Sequence, residues 1–470
     1  MPGTSTSSAA EMLVPLDLDL PTPLHRQLEQ HLRDAIRSGR FGPASLVPST
    51  RSLARQLGVS RGVVVEAYEQ LAAEGYLLAR PGGSTRVAPT ATPARPRASA
   101  PAAVRFAADF RPGQPDLDEF PRAAWLHSVR RVLNEAPSAR MAYLDGRGMH
   151  ELREALAAYL DRVRGTAARV DDVVVCSGFA QGLRLVAQVL RASGARRIAM
   201  EDPSYADARE MVRAAGLAVV GLPIDESGIN PELLDRERVD AVIVTPAHQY
   251  PTGGVLPPER RAALVAWAVR RRGLIIEDDY DAEFRYDREP IGPIQGLCPD
   301  RVVYAGTASK ILAPGLRLGW LVAPSSLVEA IAAAKLKSDL GSPAIDQLAF
   351  ADFVQRGELD RHLRRMRPIY RRRRDTLLAA LRRHLPDLRP AGASAGLHLL
   401  AWLPPDLDED AVVRSAGDAG LGLQGLAASR IRPQRQGGGI VFGYGSVTER
   451  AISEGVRKLA AVVRTLRAGR

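Results

Sequence analysis

The sequence has few cysteines and no long apolar run. Only Cys176 and Cys298 occur in 470 residues, which argues against a disulfide framework or a cysteine zinc site. No apolar stretch approaches the roughly 20 residues that a membrane-spanning helix needs. The first eight residues also lack the charged start and apolar middle of a secretory signal. We therefore expect a protein of the cytoplasm.

The chain does have length and positive charge. Its 470 residues, 46% of them hydrophobic, allow two or three soluble domains with large cores. The formal net charge of +11 is compatible with a polyanionic partner without establishing one. Part of the excess lies in the arginine-rich stretch 361–374. We interpret this stretch as a solvated helix face that is broken near Pro368.

The first 90 residues predict a small helical unit. Residues 1–15 are small and polar and predict a disordered tail. After Pro23, apolar residues recur at every fourth position and predict a first helix, which Ser38 and Gly39 end.

Two short helices joined by a tight turn are predicted next. Ser49 or Thr50 can cap the first of them, and Gly58 makes the turn. Ser60 then caps the second. The inward residues of this second helix are predicted to be Val64, Ala67, Tyr68 and Leu71. This arrangement is typical of a helix-turn-helix, although an ordinary helical hairpin gives the same pattern.

A basic β-hairpin supports the DNA-binding interpretation. Residues 76–87 alternate around Pro81-Gly82-Gly83 and predict a two-stranded wing, with Arg80 and Arg86 beside its tip. The candidate DNA-contacting residues are Ser49, Thr50, Arg51, Ser60, Arg61, Gly62, Arg80, Gly82 and Gly83. This segment strongly resembles the winged-helix domain of GntR regulators. Its net charge is only +4, from nine basic and five acidic residues in 23–87, so we expect sequence-specific binding to operator DNA by a dimer.

Beyond a proline-rich linker the pattern changes to alternating strands and helices. Five buried parallel strands are predicted, over residues 173–176, 197–200, 241–244, 274–276 and 301–304. Loops at the carboxyl ends of such strands converge on one edge of an open α/β sheet.

Lys310 is the candidate reactive residue. Apolar neighbours on both sides help a lysine lose its proton, and a neutral amine condenses with an aldehyde. Arg317 and the nearby hydroxyl residues could hold an anion beside that aldehyde. Pyridoxal 5'-phosphate (PLP) carries both groups. Taken alone, the motif fits a buried turn with a surface lysine equally well.

The other strand-end loops favour PLP. Residues 177–182 precede a helix, whose backbone amides suit a phosphate. Tyr205 could lie against an aromatic ring, although a core tyrosine is the usual alternative. Asp278 follows a buried strand, where a carboxylate is costly unless paired, and a pyridinium nitrogen is a suitable partner. Tyr280, two residues on, can point to the same side.

Residues from about 16 to 470 resemble the MocR/GabR-type regulators, which join a GntR winged helix to a fold-type I aminotransferase-like domain. The most specific motifs lie in residues 277–286 and 309–317. The resemblance implies that Lys310 forms an aldimine with PLP, Asp278 holds the pyridine nitrogen and Tyr280 reaches the ring hydroxyl. It further implies a cofactor-binding role for Tyr205, which stacks on the ring, and for Gly178 and Tyr250. The phosphate-binding residues that it implies are Phe179, Ala180, Thr307, Ser309 and Arg317. Tyr143 resembles a tyrosine that reaches the phosphate from the partner subunit, which implies a homodimer. No metal is expected.

This resemblance gives the predicted domain bounds. They are a tail at 1–15, a winged-helix DNA-binding domain at 16–88, a linker at 89–108 and a PLP-binding domain at 109–470. The last has a large α/β/α subdomain and a small α+β C-terminal subdomain from about residue 350.

Three positions depart from the family pattern. Val441 occupies the late-strand position where aminotransferases place the arginine that grips a substrate carboxylate. Asp207 stands where GABA-responsive relatives have an arginine, and Tyr250 replaces an asparagine. The nearby Arg430, Arg432 and Arg435 could substitute for the missing clamp.

Loss of the clamp favours a sensor over an enzyme. The leading hypothesis is a transcription factor that responds to PLP, similar to PdxR-type regulators of vitamin B6 synthesis. A regulator that responds to an amino compound, an active aminotransferase and a cofactor-free domain are the alternatives.

Overall fold

The computed structural model describes residues 16–78, 84–89, 106–286, 291–392, 394–432 and 437–469. The chain forms two compact units, Met1–Ala103 and Val104–Arg470. Their boundary falls within the predicted linker, and the finer domain bounds remain predictions. Within the described ranges, no helix is long and apolar enough to cross a bilayer.

The described residues of the two units contain fifteen α-helices and sixteen strands, which alternate through most of the second unit. The helices are α1 (Leu24–Arg37), α2 (Thr50–Leu57), α3 (Arg61–Ala73), α4 (Arg122–Glu135), α5 (His150–Arg164), α6 (Phe179–Ala192), α7 (Ala206–Ala214), α8 (Glu232–Glu237), α9 (Pro258–Arg271), α10 (Ala308–Ile311), α11 (Ser325–Asp339), α12 (Ala344–Gln355), α13 (Glu358–His384), α14 (Glu409–Asp418) and α15 (Glu449–Ala468). The strands are β1 (Leu77–Leu78), β2 (Arg86–Val87), β3 (Ala108–Asp109), β4 (Val173–Cys176), β5 (Arg197–Asp202), β6 (Ala218–Asp225), β7 (Gly228–Ile229), β8 (Ala241–Val244), β9 (Leu274–Asp279), β10 (Val302–Thr307), β11 (Gly319–Val322), β12 (Arg389–Ala391), β13 (His398–Trp402), β14 (Leu421–Gly422), β15 (Gln424–Gly425) and β16 (Gly439–Gly443).

The first unit is a three-helix bundle with a short antiparallel hairpin. All four predicted inward residues of α3 are buried, and Leu77 pairs with Val87 across the hairpin. The hydroxyl of Ser49 caps α2 by accepting from the Ser52 amide at 3.2 Å. Ser60 holds the corresponding position before α3, but its side chain makes no capping hydrogen bond. The prediction that the Ser60 side chain caps α3 is therefore wrong. Ser60 is exposed and precedes the helix with an extended backbone, without a side-chain hydrogen bond to it.

The second unit is built on an eight-stranded sheet in the order β4-β11-β10-β9-β8-β5-β6-β7. Strands β10, β9, β8, β5 and β6 run parallel, whereas β11 is antiparallel to β10 and β4. All five predicted strands are present. Their near-continuous apolar sequences are buried on both faces, since helices cover the sheet. A four-stranded sheet, β12-β13-β16-β15, forms the core of the C-terminal part.

Helix α13 corrects one expectation. It runs without interruption through Pro368, whose ring was predicted to break it. The flanking Met366 and Tyr370 are almost fully buried, and packing of such residues offsets the roughly 3 kcal/mol that an internal proline costs. The arginine-rich face is not wholly solvated either. Arg373 is buried and pairs with Asp116 at 2.5 Å.

Candidate functional site

A cavity of about 500 Å³ lies at the carboxyl ends of the large-sheet strands and borders the small sheet. Its walls are Pro112, Gly113, Gln114, Phe179, Ala180, Tyr205, Asp207, Tyr250, Asp278, Tyr280, Asp281, Thr307, Ser309, Lys310, Pro314, Arg317, Leu397, His398 and Gln424. The folded chain thus brings ten of the twelve predicted cofactor residues to one cavity wall.

Lys310 enters this cavity from the one-turn helix α10, directly after β10. Its Nζ donates a hydrogen bond to the Gly113 carbonyl at 2.5 Å. Burial lowers the pKa of Lys310, while the carboxylates of Asp281 and Asp278 oppose that shift. The neutral amine is therefore more accessible than in a surface lysine, which is what attack on an aldehyde requires.

Asp278 is the last residue but one of strand β9 and is 8% exposed. Burial, and then the neighbouring Asp279 and Asp281, raise the pKa of its carboxyl well above the ordinary value. No described residue donates a hydrogen bond to this carboxylate, although it lines the cavity. A buried acceptor of this kind suits a ligand with a cationic N–H, such as a pyridinium ring.

Aromatic side chains form the walls around this carboxylate. The rings of Tyr205 and Tyr250 meet edge to face at 6.1 Å, and Tyr250 meets Tyr280 in the same way at 6.2 Å. The Tyr250 hydroxyl accepts from Gln424 Nε2 at 3.0 Å. The Tyr205 hydroxyl donates to Asp207 at 2.8 Å. This wall fits a flat ring.

The opposite end of the cavity is arranged for an anion. The amino terminus of α6 presents Phe179 and Ala180, and the Thr307 hydroxyl accepts from the Ser309 amide at 3.1 Å. Gly178 lies just behind the wall with φ +85°, and a Cβ there would come within 2.9 Å of Arg317 Nη2. Helix amides, hydroxyls and a guanidinium are the donor set that a phosphate monoester needs.

A buried cluster of His248, Asp281 and His398 adjoins Tyr280. His248 Nδ1 lies 3.0 Å from an Asp281 carboxylate oxygen, and the two histidine rings are 4.9 Å apart. The three residues place potential metal-ligand atoms within 4.8 Å of one another. Two of these three side chains, His248 and Asp281, already form a hydrogen bond with each other.

Two of the predicted residues lie outside the cavity wall. Gly178 supports the wall from behind, as described above, and Tyr143 is 89% exposed on the surface of its own unit. Val441 is fully buried against Leu400 and Leu426 and does not line the cavity, although Gln424, its partner on the neighbouring strand, does. Among the described residues, neither Arg430 nor Arg432 lines the cavity, and Arg435 lies outside the described ranges.

Sequence reasoning missed Asp281, His398 and Gln424. Asp281 was within the motif at 277–286 but carried no assigned role. His398 and Gln424 come from strands β13 and β15 of the small sheet. No local pattern joins those strands to the large-sheet loops, so only the tertiary fold reveals their place in the cavity.

Most of the predicted DNA-contacting residues that the structure describes are exposed, and Thr50 is half-buried. Arg51, Ser60, Arg61 and Gly62 are exposed around the start of α3. The Nε of Arg61 donates to the Thr50 hydroxyl at 3.4 Å. Arg86, beside the predicted wing tip, is exposed and donates from Nη1 to the Ala44 carbonyl at 3.0 Å. The predicted contacts at Arg80, Gly82 and Gly83 lie outside the described residues.

Two protein families match the chain. Residues 24–87 match the bacterial regulatory proteins of the gntR family, and residues 109–424 match aminotransferase class I and II. These matches confirm the predicted combination of a winged helix and a fold-type I aminotransferase-like domain.

Full-length relatives share this organisation. The chain is 35% identical over 452 residues to the HTH-type pyridoxine biosynthesis transcriptional regulator PdxR of Corynebacterium glutamicum, covering 94% of this chain and 96% of that protein. It is 34% identical over 471 residues to the probable rhizopine catabolism regulatory protein MocR of Rhizobium meliloti, covering 95% of each.

Solved aminotransferases match the second unit. An archaeal alanine:glyoxylate aminotransferase superposes with a TM-score of 0.71 at 27% identity, covering 77% of this chain and 92% of that one. A multiple-substrate aminotransferase of Thermococcus profundus gives 0.71 at 26% identity, covering 79% and 94%. The chain therefore belongs to the MocR/PdxR-type GntR regulators, in which a winged-helix DNA-binding domain is joined to a class I and II aminotransferase-like domain.

Proposed function

We propose that this regulator binds PLP at Lys310 and that bound PLP changes its affinity for operator DNA. The observation that carries the proposal is the pairing, in one cavity, of a buried lysine whose pKa is lowered with a buried carboxylate that has no described hydrogen-bond donor. These are the two groups that the aldehyde and the pyridine nitrogen of PLP require.

Each side chain has a defined task in this proposal. Lys310 supplies the amine, Asp278 accepts from the ring nitrogen, and Tyr205 covers one ring face. Phe179, Ala180, Thr307, Ser309 and Arg317 bind the phosphate, with Gly178 giving the guanidinium room. When bound, PLP supplies an electrophilic carbonyl and an electron sink.

The position of Val441 favours sensing over turnover. This valine is sealed in an apolar cluster with Leu400 and Leu426, so it offers no cation to a substrate carboxylate. An aminotransferase needs such a contact to orient its amino acid. We therefore assign the domain chiefly to effector binding.

Tyr143 supports a homodimer in this proposal. Its side chain is 89% exposed, as expected for a tyrosine that completes the phosphate site of a partner subunit. PLP would act by binding one arrangement of the dimer better than another, because a ligand shifts an equilibrium only through differential affinity. We further propose that the protein acts in the cytoplasm.

An amino compound is the second candidate effector. Asp207, Gln424 and Gln114 line the cavity outside the set assigned to PLP. These polar side chains could contact an amine that reacts with bound PLP.

The decisive experiment measures operator binding by the purified apo-protein with and without PLP. The upstream DNA of the regulator's own gene is the first operator to test. We expect a change in affinity together with a visible absorption band from bound PLP. Indifference of DNA binding to PLP, with the band present, would reject PLP as the effector and favour an amine, which a panel of amines then identifies.

A further inference from the structure

The hydroxyl of Tyr280 contacts a buried histidine, which in turn contacts a buried carboxylate. Tyr280 donates to the His248 carbonyl at 3.0 Å, and its oxygen lies 3.1 Å from His248 Nδ1. His248 Nδ1 also lies 3.0 and 3.1 Å from the two oxygens of Asp281. Because a carboxylate only accepts, Nδ1 carries the proton in this bond. One residue, His248, thus connects Asp281 to the phenol.

Burial makes this arrangement rigid. The side chains of His248 and Asp281 are 1% and 2% exposed. A buried carboxylate is stable only with a close partner, so the imidazole ring is fixed against Asp281. His398 stacks on Tyr280 with an interplanar angle of 24° and closes the other side.

The backbone at Gly396 is shaped for the same pair. Gly396 has φ +78°, and a Cβ there would lie 2.4 Å from both an Asp281 oxygen and His248 Nδ1. The Gly396 carbonyl is in turn fixed by the hydroxyls of Tyr286 and Tyr444, at 2.6 and 2.8 Å. A side chain at this position would displace the pair, so the loop between β12 and β13 leaves space for it.

We infer that His248 and Asp281 are positioning residues that hold the Tyr280 hydroxyl in place for the ring of PLP. The inference rests on the proposed binding of PLP at Lys310. It assigns the pair no contact with the cofactor and no proton transfer. The contact through which the pair acts is the oxygen atom of Tyr280, and the charge of Asp281 acts separately on Lys310 and Asp278. Second-layer contacts of this kind orient the groups that touch a ligand.

The test is a double-mutant cycle on full-length protein. The variants are His248→Gln, Asp281→Asn and Tyr280→Phe, singly and with each of the first two combined with the third. PLP affinity is measured by titration of its visible absorption band. We expect each single change to weaken PLP binding about tenfold, the effect of one lost hydrogen bond to a positioned group. In the Tyr280→Phe background, His248→Gln should have little further effect, and Asp281→Asn should keep only the effect of removing its charge beside Lys310.

A pH titration of the same band gives a second readout. The charged or titratable groups that face Tyr280 are His248, Asp278, Asp281, Tyr250, Glu201 and His398. His248→Gln should shift the midpoint of the band in the same direction as Tyr280→Phe, whereas Asp281→Asn also removes a charge that acts directly on Lys310. A merely structural defect would lower the occupancy of the site without this shared shift.

Tyr304→Phe is the matched control. Its hydroxyl donates to Asp279 at 2.8 Å, is buried like the groups under test and does not line the cavity. PLP affinity should be unchanged in this variant, and thermal unfolding of the apo-proteins checks folding.

Two results would overturn the inference. Either the His248 and Asp281 variants bind PLP like wild type, or their effects persist in full in the Tyr280→Phe background. Wild-type protein without a PLP band would instead reject the proposed function itself.

Discussion

The two units of the chain carry their candidate functional residues in opposite environments. In the winged-helix unit, Arg51, Ser60 and Arg61 are exposed. In the aminotransferase-like unit, Asp278 and Thr307 are 8% and 6% exposed, and the pKa of Lys310 is lowered by burial. An exposed cation reaches DNA with its ordinary charge, whereas a buried group acquires its reactivity from the protein around it. The first unit should therefore respond to changes in surface charge, and the second to changes in packing and protonation.

The largest expected effect is a loss of PLP binding that leaves DNA binding by the other unit intact. Lys310→Ala should abolish the PLP absorption band and the response of DNA binding to PLP, because no other amine is placed for the aldehyde in the described cavity wall. Binding of the apo-protein to the operator should remain. Absorbance and DNA-binding titrations check both, with the exposed Lys337→Ala as control. Retention of the PLP response in the Lys310 variant would contradict the proposed function.

The second effect concerns pH and the buried unit. Burial, and then the charge of Arg365, lowers the pKa of His362 from 6.5 to about 4. The folded protein thus favours the neutral ring, so its contribution to stability is present above pH 6.5 and is lost as the pH falls toward 4. By linkage this amounts to about 3 kcal/mol. Denaturant unfolding at pH 6.5 and 4.5 should show a smaller loss in His362→Gln than in wild type. Equal losses of unfolding free energy in the two proteins would show that His362 does not contribute to the pH dependence of stability.

The third effect concerns the exposed unit. Arg61→Ala should weaken operator binding by about 1–3 kcal/mol, as expected for loss of one base or phosphate contact. The PLP spectrum should be unchanged, because the side chain is exposed in the other unit. Arg382→Ala, an exposed change on α13, is the control. Equal DNA affinity in the Arg61 and Arg382 variants would exclude Arg61 from the interface.

The smallest effect compares two serines within the winged helix. Ser49→Ala should lower the stability of this unit by about 1 kcal/mol, because the hydroxyl caps α2. Ser60→Ala should change stability less, because its hydroxyl makes no capping bond. Thermal unfolding of the two variants checks the difference. The reverse order would show that the Ser60 hydroxyl stabilises α3.

Much of the fold could be predicted because it depends on local patterns. The five apolar strands and the four inward residues of α3 appear where periodicity placed them. Helix α13 shows the limit of such rules. Pro368 is a helix breaker by local preference, yet the burial of Met366 and Tyr370 outweighs that preference.

The candidate site likewise contains some residues that local patterns predicted and others that they did not. Lys310, Asp278 and Tyr280 were recognisable because each lies at or soon after the end of a buried strand, and such strand ends meet at one edge of an α/β sheet. His398 and Gln424 were not, because they come from a second sheet whose approach to the first depends on contacts distant in sequence.

The sequence by itself determined the two domain types and pointed to Lys310 and its neighbours as the candidate site, since these follow from short motifs and residue periodicity. Only the tertiary structure decided that His248 and Asp281 hold Tyr280, that Gly396 makes room for them and that Val441 is sealed in an apolar cluster. The physical reason is that a buried polar group is stable only when a partner from another part of the chain satisfies it, and packing of the whole domain selects that partner.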